Sequence, residues 1–140
     1  RSWFSLCFVT IQNEALVLFT SGTTGNKKLV PHQMGDILTA ATVIALSWRL
    51  TPSDVNCNMM PLFHVGGIVR QVYSPLVSSS AVICCPSFDA TLFWSMLTKA
   101  QPASIDCKQT DAAPTMHQII LQTGEEYLQD GSKYPLKMIA

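Results

Sequence analysis

Thr20-Ser21-Gly22-Thr23-Thr24-Gly25-Asn26-Lys27-Lys28 follows directly on an apolar run, Ala15-Leu16-Val17-Leu18-Phe19. The run reads as a buried strand, and the polar stretch as the loop that it feeds. Glycines let a backbone approach a ligand closely, and successive N–H groups form an anion-binding nest. The hydroxyl side chains add donors and the lysines add charge. Such a loop suits a phosphate chain. A plain turn between strands has much the same composition, so the loop alone leaves both readings open.

Outward from the loop, strands and helical stretches alternate. Leu29-Val30 is a short apolar segment stopped by Pro31. From His32 to Leu50, Ile37, Leu38, Ala41, Ile44, Ala45 and Trp48 recur at helical spacing. A turn at Thr51-Pro52-Ser53-Asp54 leads to an apolar segment, Val55 to Met60. Pro61-Leu62-Phe63-His64-Val65-Gly66-Gly67 is a second loop, and Ile68 to Val77 a helix that Pro75 kinks or ends. Ala81-Val82-Ile83-Cys84-Cys85, closed by Pro86, has the continuous apolarity of a strand buried on both faces. Asp89 is placed to cap a helix whose Leu92, Phe93, Met96 and Leu97 share a face. Pro114 opens a further helix bearing Met116, Ile119, Ile120 and Leu121. Gly124 to Tyr134 reads as a loop, and Leu136 to Ala140 as a last strand. The class is α/β: a doubly wound, mainly parallel sheet with flanking helices, with ligands bound beyond the carboxyl ends of its strands. The Ser/Thr/Gly loop stands at such an end.

Composition sets limits. The 140 residues are 48% hydrophobic and 13% charged, which excludes disorder and implies surface covered by chain outside this sequence. Nine basic and nine acidic residues balance with no like-charge block, so nothing draws nucleic acid or an acidic membrane. No apolar run is long enough to span a bilayer. Cys7, Cys57, Cys84, Cys85 and Cys107 form no metal-type pair and read as reduced thiols of a cytoplasmic protein. Residues 1–13 carry no assignable pattern. The opening Arg reads as the start of an internal piece, with 14–140 a partial domain cut short at its C-terminal end.

Known phosphate loops can be tested one by one. A Walker loop needs G-x-x-x-x-G-K-[ST], but Gly22 and Gly25 are too close together and Leu29 follows Lys28. The dinucleotide fingerprint G-x-G-x-x-G does not occur. A nucleophile elbow around Ser21 needs glycine where Phe19 and Thr23 stand. The stretch 20–28 instead resembles the phosphate loop of the adenylate-forming superfamily, T-S-G-[ST]-T-G-x-P-K, which comprises acyl-CoA synthetases, luciferases and peptide-synthetase adenylation domains. The departure is Lys27 in place of proline. Pro61 to Gly67 is similar to that family's P-L-[FY]-H-x-x-G segment. Ala81-Val82-Ile83 through Leu92-Phe93, the turn Ala113-Pro114-Thr115-Met116 and the strand Leu136-Lys137-Met138-Ile139 resemble the later elements of the family's domain. Between Gln101 and Ala113 the family has an apolar strand, whereas this chain has Ala103-Ser104-Ile105-Asp106-Cys107-Lys108-Gln109-Thr110-Asp111. A buried unpaired polar group costs about 1–3 kcal/mol. This segment therefore reads as an external insertion or a misread stretch.

The resemblance implies part of the large N-terminal domain of an ATP-dependent ligase. In that reaction a carboxylate attacks the α-phosphate of ATP, pyrophosphate leaves, and the acyl group passes to the thiol of CoA or of a carrier protein's pantetheine. It implies that Thr20, Ser21, Thr23 and Thr24 donate to the β- and γ-phosphates, that Gly22 and Gly25 allow backbone approach, and that Lys28 supplies the cation. His64 is implied at the acyl or thiol end. Mg²⁺ is implied as well, but its acidic ligand, like the ribose-binding aspartate and the second-domain lysine, belongs to later parts of the family's chain. No metal ligand is expected here, and the remainder of the parent enzyme is an expected partner. The alternative is a non-catalytic remnant that at most binds nucleotide phosphates. His32 and His117 read as helix-start and surface positions, Cys84 and Cys85 as packed strand residues, and Lys27 as a solvated neighbour of Lys28. Trp48, Phe93 and Trp94 read as packing residues.

Overall fold

The computed structural model describes residues 10–20, 27–98, 107–110, 113–127 and 138–139. Strand β1 (Glu14–Thr20) pairs with β2 (Lys28–Gln33) as an antiparallel hairpin, apart from the main sheet. The expected parallel partnership for β1 is therefore replaced by a local one. The reason is length: a parallel return needs a crossover of a dozen or more residues, and residues 21–27 are too few for it. Nor is β1 buried throughout, since Leu16 and Leu18 are half-buried while Val17 is 49% and Phe19 64% exposed. Pro31 does not stop β2 but lies within it opposite Val17. Each strand of a two-stranded ribbon has a free edge, where a missing N–H is tolerated.

Helix α1 (Met34–Ser47) buries Ile37, Ala41 and Ala45, a stripe at intervals of four. The turn after it is closed by Asp54, whose Oδ2 accepts from the Thr51 backbone N–H (2.7 Å) and hydroxyl (2.9 Å). Strand β3 (Val55–Asn58) comes next. The expected helix after the second loop is a π-helical segment, Gly66–Tyr73, continued by α2 (Ser74–Val77). The Ser74 N–H reaches back five residues to the Val69 carbonyl. Pro75 lies in the first turn of α2, where its missing N–H costs nothing.

Strands β3, β4 (Ala81–Cys84), β5 (Cys107–Thr110) and β6 (Met138–Ile139) form a parallel sheet in the order β4-β3-β5-β6. Two expectations change here. Among the described residues β4 pairs only with β3; Val82 and Ile83 are half-buried and Ala81 and Cys84 exposed, and the strand is not enclosed on both faces. The polar stretch around Cys107, expected outside the sheet, supplies β5 between β3 and β6. Its backbone is satisfied on both sides by parallel ladders, which outweighs an unpromising composition. A register shift between Val55 and Asn56 accommodates it.

Helices α3 (Ala90–Thr98) and α4 (Pro114–Tyr127) close the first core with Cys57, Met59, Phe93, Trp94, Leu97 and Ile120. Asp89 Oδ1 accepts the Leu92 N–H at 3.0 Å, the cap expected of it. α4 runs past Gly124, which was expected to open a loop, because Trp94 holds its last turn. The indole Nε1 donates to Thr123 Oγ1 (3.0 Å) and the Ile120 carbonyl (3.2 Å), and its ring stacks on Tyr127. A smaller second core, Ile37, Ala41 and Val69, joins α1 to the π-helical segment, with Leu16 of the hairpin against it. Trp48, at the end of α1, is half-buried.

Candidate functional site

The hairpin register builds the first wall of the site. Thr20 faces Lys28, Leu18 faces Val30 and Leu16 faces His32 across the ladder. Directly opposite residues of an antiparallel pair share a face with Cβ atoms about 4.5–5.5 Å apart. The first and last residues of the 20–28 stretch thus stand side by side at the loop end of the hairpin. Ser21, Gly22, Thr23, Thr24 and Gly25 lie outside the described residues.

The second wall is the segment Pro61 to Gly67. His64 N–H donates to the Pro61 carbonyl (3.1 Å), and the His64 carbonyl accepts from Ile68 N–H (3.1 Å), which starts the π-helical segment. The imidazole Nδ1 accepts the Gly66 N–H at 3.0 Å. In the neutral ring the proton is then on Nε2, leaving that nitrogen as a donor. The two walls enclose a cavity of about 490 Å³ lined by Thr20, Lys27, Val30, His32, Phe63 and His64, among others. His64 and Val65 also line a second cavity of about 460 Å³ with Ile44, Met60, Val69, Arg70 and Pro114. His64 is therefore shared by two mainly apolar chambers, the first carrying Thr20, Lys27 and His32 and the second Arg70.

Of the residues expected at the site, Thr20 and His64 line the first chamber and Lys28 stands across the ladder from Thr20. The Ala113-Pro114 turn lines the second chamber. Lys27, expected to be solvated, is exposed and is the lysine that lines the first chamber. Other assignments change. His32, expected at a helix start, lies in β2, half-buried on the same wall. The signal for His32 was strand parity: it is four residues from Lys28 and two from Val30, on one face if the strand runs through Pro31. His117 is half-buried in α4 rather than at the surface, and its Nε2 has no hydrogen-bond partner. Cys84 is exposed, while the Cys57 and Cys85 thiols meet at 3.8 Å between sulfurs.

Among the described residues no three His, Cys, Asp or Glu side chains converge to hold a metal. The donors present suit a polyanion, and they do not fit a divalent cation. No described helix is long and apolar enough to cross a membrane.

The sequence profile of the AMP-binding enzyme family matches residues 9–139. An oxalate–CoA ligase of Saccharomyces cerevisiae is 33% identical over 114 residues, covering 81% of this chain and 20% of that one. A malonate–CoA ligase of Arabidopsis thaliana is 28% identical over 138 residues, covering 92% of this chain and 22% of that one. The crystal structure of ATP-bound MatB from Rhodopseudomonas palustris superposes with a TM-score of 0.76 at 21% identity, over 93% of this chain and 24% of that one. The chain thus spans about a fifth of the length of the curated relatives it matches.

Proposed function

This chain belongs to the family of AMP-binding enzymes, and from that membership we propose that it forms the triphosphate-gripping part of an acid–thiol ligase. The reaction is carboxylate plus ATP giving acyl-adenylate and pyrophosphate, followed by acyl transfer to the thiol of CoA or of a carrier protein's pantetheine. The observation that carries the proposal is the pairing of Thr20 with Lys28 at the loop end of the hairpin. It brings the two ends of the 20–28 stretch together beside a chamber that already holds Lys27 and His64.

In this reading the Ser21, Thr23 and Thr24 hydroxyls and the Gly22 and Gly25 backbone N–H groups surround the β- and γ-phosphates. Lys28 offsets their charge. Phosphoryl-type transfer is helped chiefly by positioning and by neutralising charge as it develops, and both are within the reach of these residues. The His64 Nε2–H, at the junction of the chambers, donates where the acyl group and its thiol acceptor meet. The acid lies in the second chamber, and Mg²⁺ is held by acidic groups of the parent enzyme. The 140-residue chain by itself then binds the nucleotide tail without completing the reaction. A cytosolic location belongs to the same proposal and is supported by an odd cysteine count with no C-x-x-C pair.

ATP titration of the wild type against Lys28→Ala tests the grip. A charge-assisted hydrogen bond contributes about 1.5–3 kcal/mol, so affinity is expected to fall by roughly tenfold or more. Equal affinity in the two would sink the assignment. Pyrophosphate exchange in the parent enzyme, with oxalate and malonate as the first acids tried, tests the ligase reaction. In that assay His64→Ala is expected to lower the rate.

A further inference from the structure

Strand β3 carries Asn56 and Asn58 on one face, with Cys57 between them turned into the first core. Asn56 Nδ2 donates to the backbone carbonyl (2.8 Å) and side-chain Oε1 (2.6 Å) of Gln71. Asn58 Oδ1 accepts the Met60 N–H (2.9 Å), and Asn58 Nδ2 donates to the Gly67 carbonyl (3.4 Å). Asn56, Asn58 and Gln71 are 1%, 2% and 0% exposed. Two rungs on the strand thus meet Gly67 and Gln71, one turn apart on the π-helical segment. The lower rung has a property that the upper one lacks: its two backbone partners bracket a single segment, Met60 to Gly67, with His64 in the middle.

Everything inside that bracket is short-range. Pro61 accepts from His64, Gly66 donates to the imidazole, and the Gly67 Cα lies against the Pro61 carbonyl with no space for a side chain. The orientation of the ring relative to the sheet therefore depends on where the two ends of the segment are anchored. Asn58 reaches both ends. A buried amide is costly to place without its full complement of partners, so its presence between two backbone groups points to a positional role.

We propose that Asn58 is the positioning residue for His64, holding both ends of the 60–67 segment so that Nδ1 accepts from Gly66 and Nε2–H is presented to the two chambers. Its consequence for catalysis rests on the reading of His64 given above. Its structural content does not.

The test is nitrogen NMR of the full chain labelled with ¹⁵N-histidine, without nucleotide, with the His64 signal assigned through His64→Gln. The wild type is expected to show one tautomer, protonated at Nε2. Asn58→Leu, which removes both contacts, and the isosteric Asn58→Asp, which keeps the acceptor for Met60 and loses the donor to Gly67, are each expected to give a mixture of tautomers. In pyrophosphate exchange by the parent enzyme, both are expected to lower kcat on the order of tenfold to a hundredfold, with KM for ATP little changed. A folded variant that keeps the single Nε2–H form overturns the proposal. Loss of folding in both variants overturns it as well, since the contact would then serve folding and not His64. Undiminished exchange in His64→Ala would remove His64 from the chemistry while leaving the tautomer result standing, so the two readings fail separately.

Discussion

Gly67 shows how much a single residue of this site depends on having no side chain. A Cβ there would lie 2.2 Å from the Pro61 oxygen and 2.8 Å from its carbon, both backbone atoms that cannot swing away. Pro61 also receives the His64 N–H, so any shift of its carbonyl moves the histidine. Gly67→Ala is expected to cost about 1–3 kcal/mol of stability, in the range of overpacked cores. It is also expected to release His64 from its Gly66 hydrogen bond. Urea unfolding and the His64 tautomer measure the two effects. Stability and tautomer both at wild-type values would show that the close approach is relaxed in solution. Lys27 teaches a related lesson at the same scale. Its identity departs from the family's proline, yet that departure puts a lysine on the wall of the chamber.

At the scale of elements, helix ends are settled by backbone geometry that no hydrophobic pattern records. α2 ends with Ser79 at φ 60°, where the Ser79 N–H bonds the Leu76 carbonyl (3.1 Å) and the Ser80 N–H bonds the Pro75 carbonyl (2.9 Å). This is the reciprocal C-terminal cap that glycine usually completes, and a side chain in the left-handed region costs about 1–2 kcal/mol. Ser79 is exposed. Ser79→Gly is therefore expected to raise the unfolding midpoint by a few degrees, since about 1 kcal/mol corresponds to a shift of that size. A lower midpoint would refute the strain. The elements that could be read from sequence are those with a local signal: α1 from its spacing and α3 from the Asp89 cap. Those misjudged are set by distant partners. β5 is held by β3 and β6, the last turn of α4 by Trp94, and the antiparallel partner of β1 by a loop too short for any other return. Among the residues proposed for the site, Thr20, Lys28 and His64 were legible as motif residues. Lys27, His32 and Asn58 were not, because their positions depend on register and burial.

Across the whole molecule, β3 is the boundary between two unequal cores. Cys57 faces the larger one, built on Phe93 and Trp94, while Asn56 and Asn58 face the π-helical segment, whose Val69 belongs to the smaller one. The site lies mainly on the second side, with the Ala113-Pro114 turn of α4 reaching it from the first. Whether the two sides fold as one unit turns on the strength of the polar contacts across that boundary, where asparagine and glutamine side chains stand in place of apolar ones. The Asn56–Gln71 contacts at 2.6 and 2.8 Å are short and wholly buried, and they bridge the boundary even though Asn56 Oδ1 and Gln71 Nε2 lack partners. One cooperative transition is therefore expected. Phe93, at 1% exposure and in edge-to-face contact with Trp94, is the side chain to perturb. Phe93→Ala should cost about 3–5 kcal/mol. The measurement is urea unfolding in two single-tryptophan versions of the chain, one keeping Trp94 in the first core and one keeping Trp48 at the end of α1. Both reporters are expected to lose the same free energy. A shift of the Trp94 transition with that of Trp48 unmoved would show that the asparagine face of β3 lets the sides part, and that the hairpin, α1 and the His64 segment stand as a unit of their own.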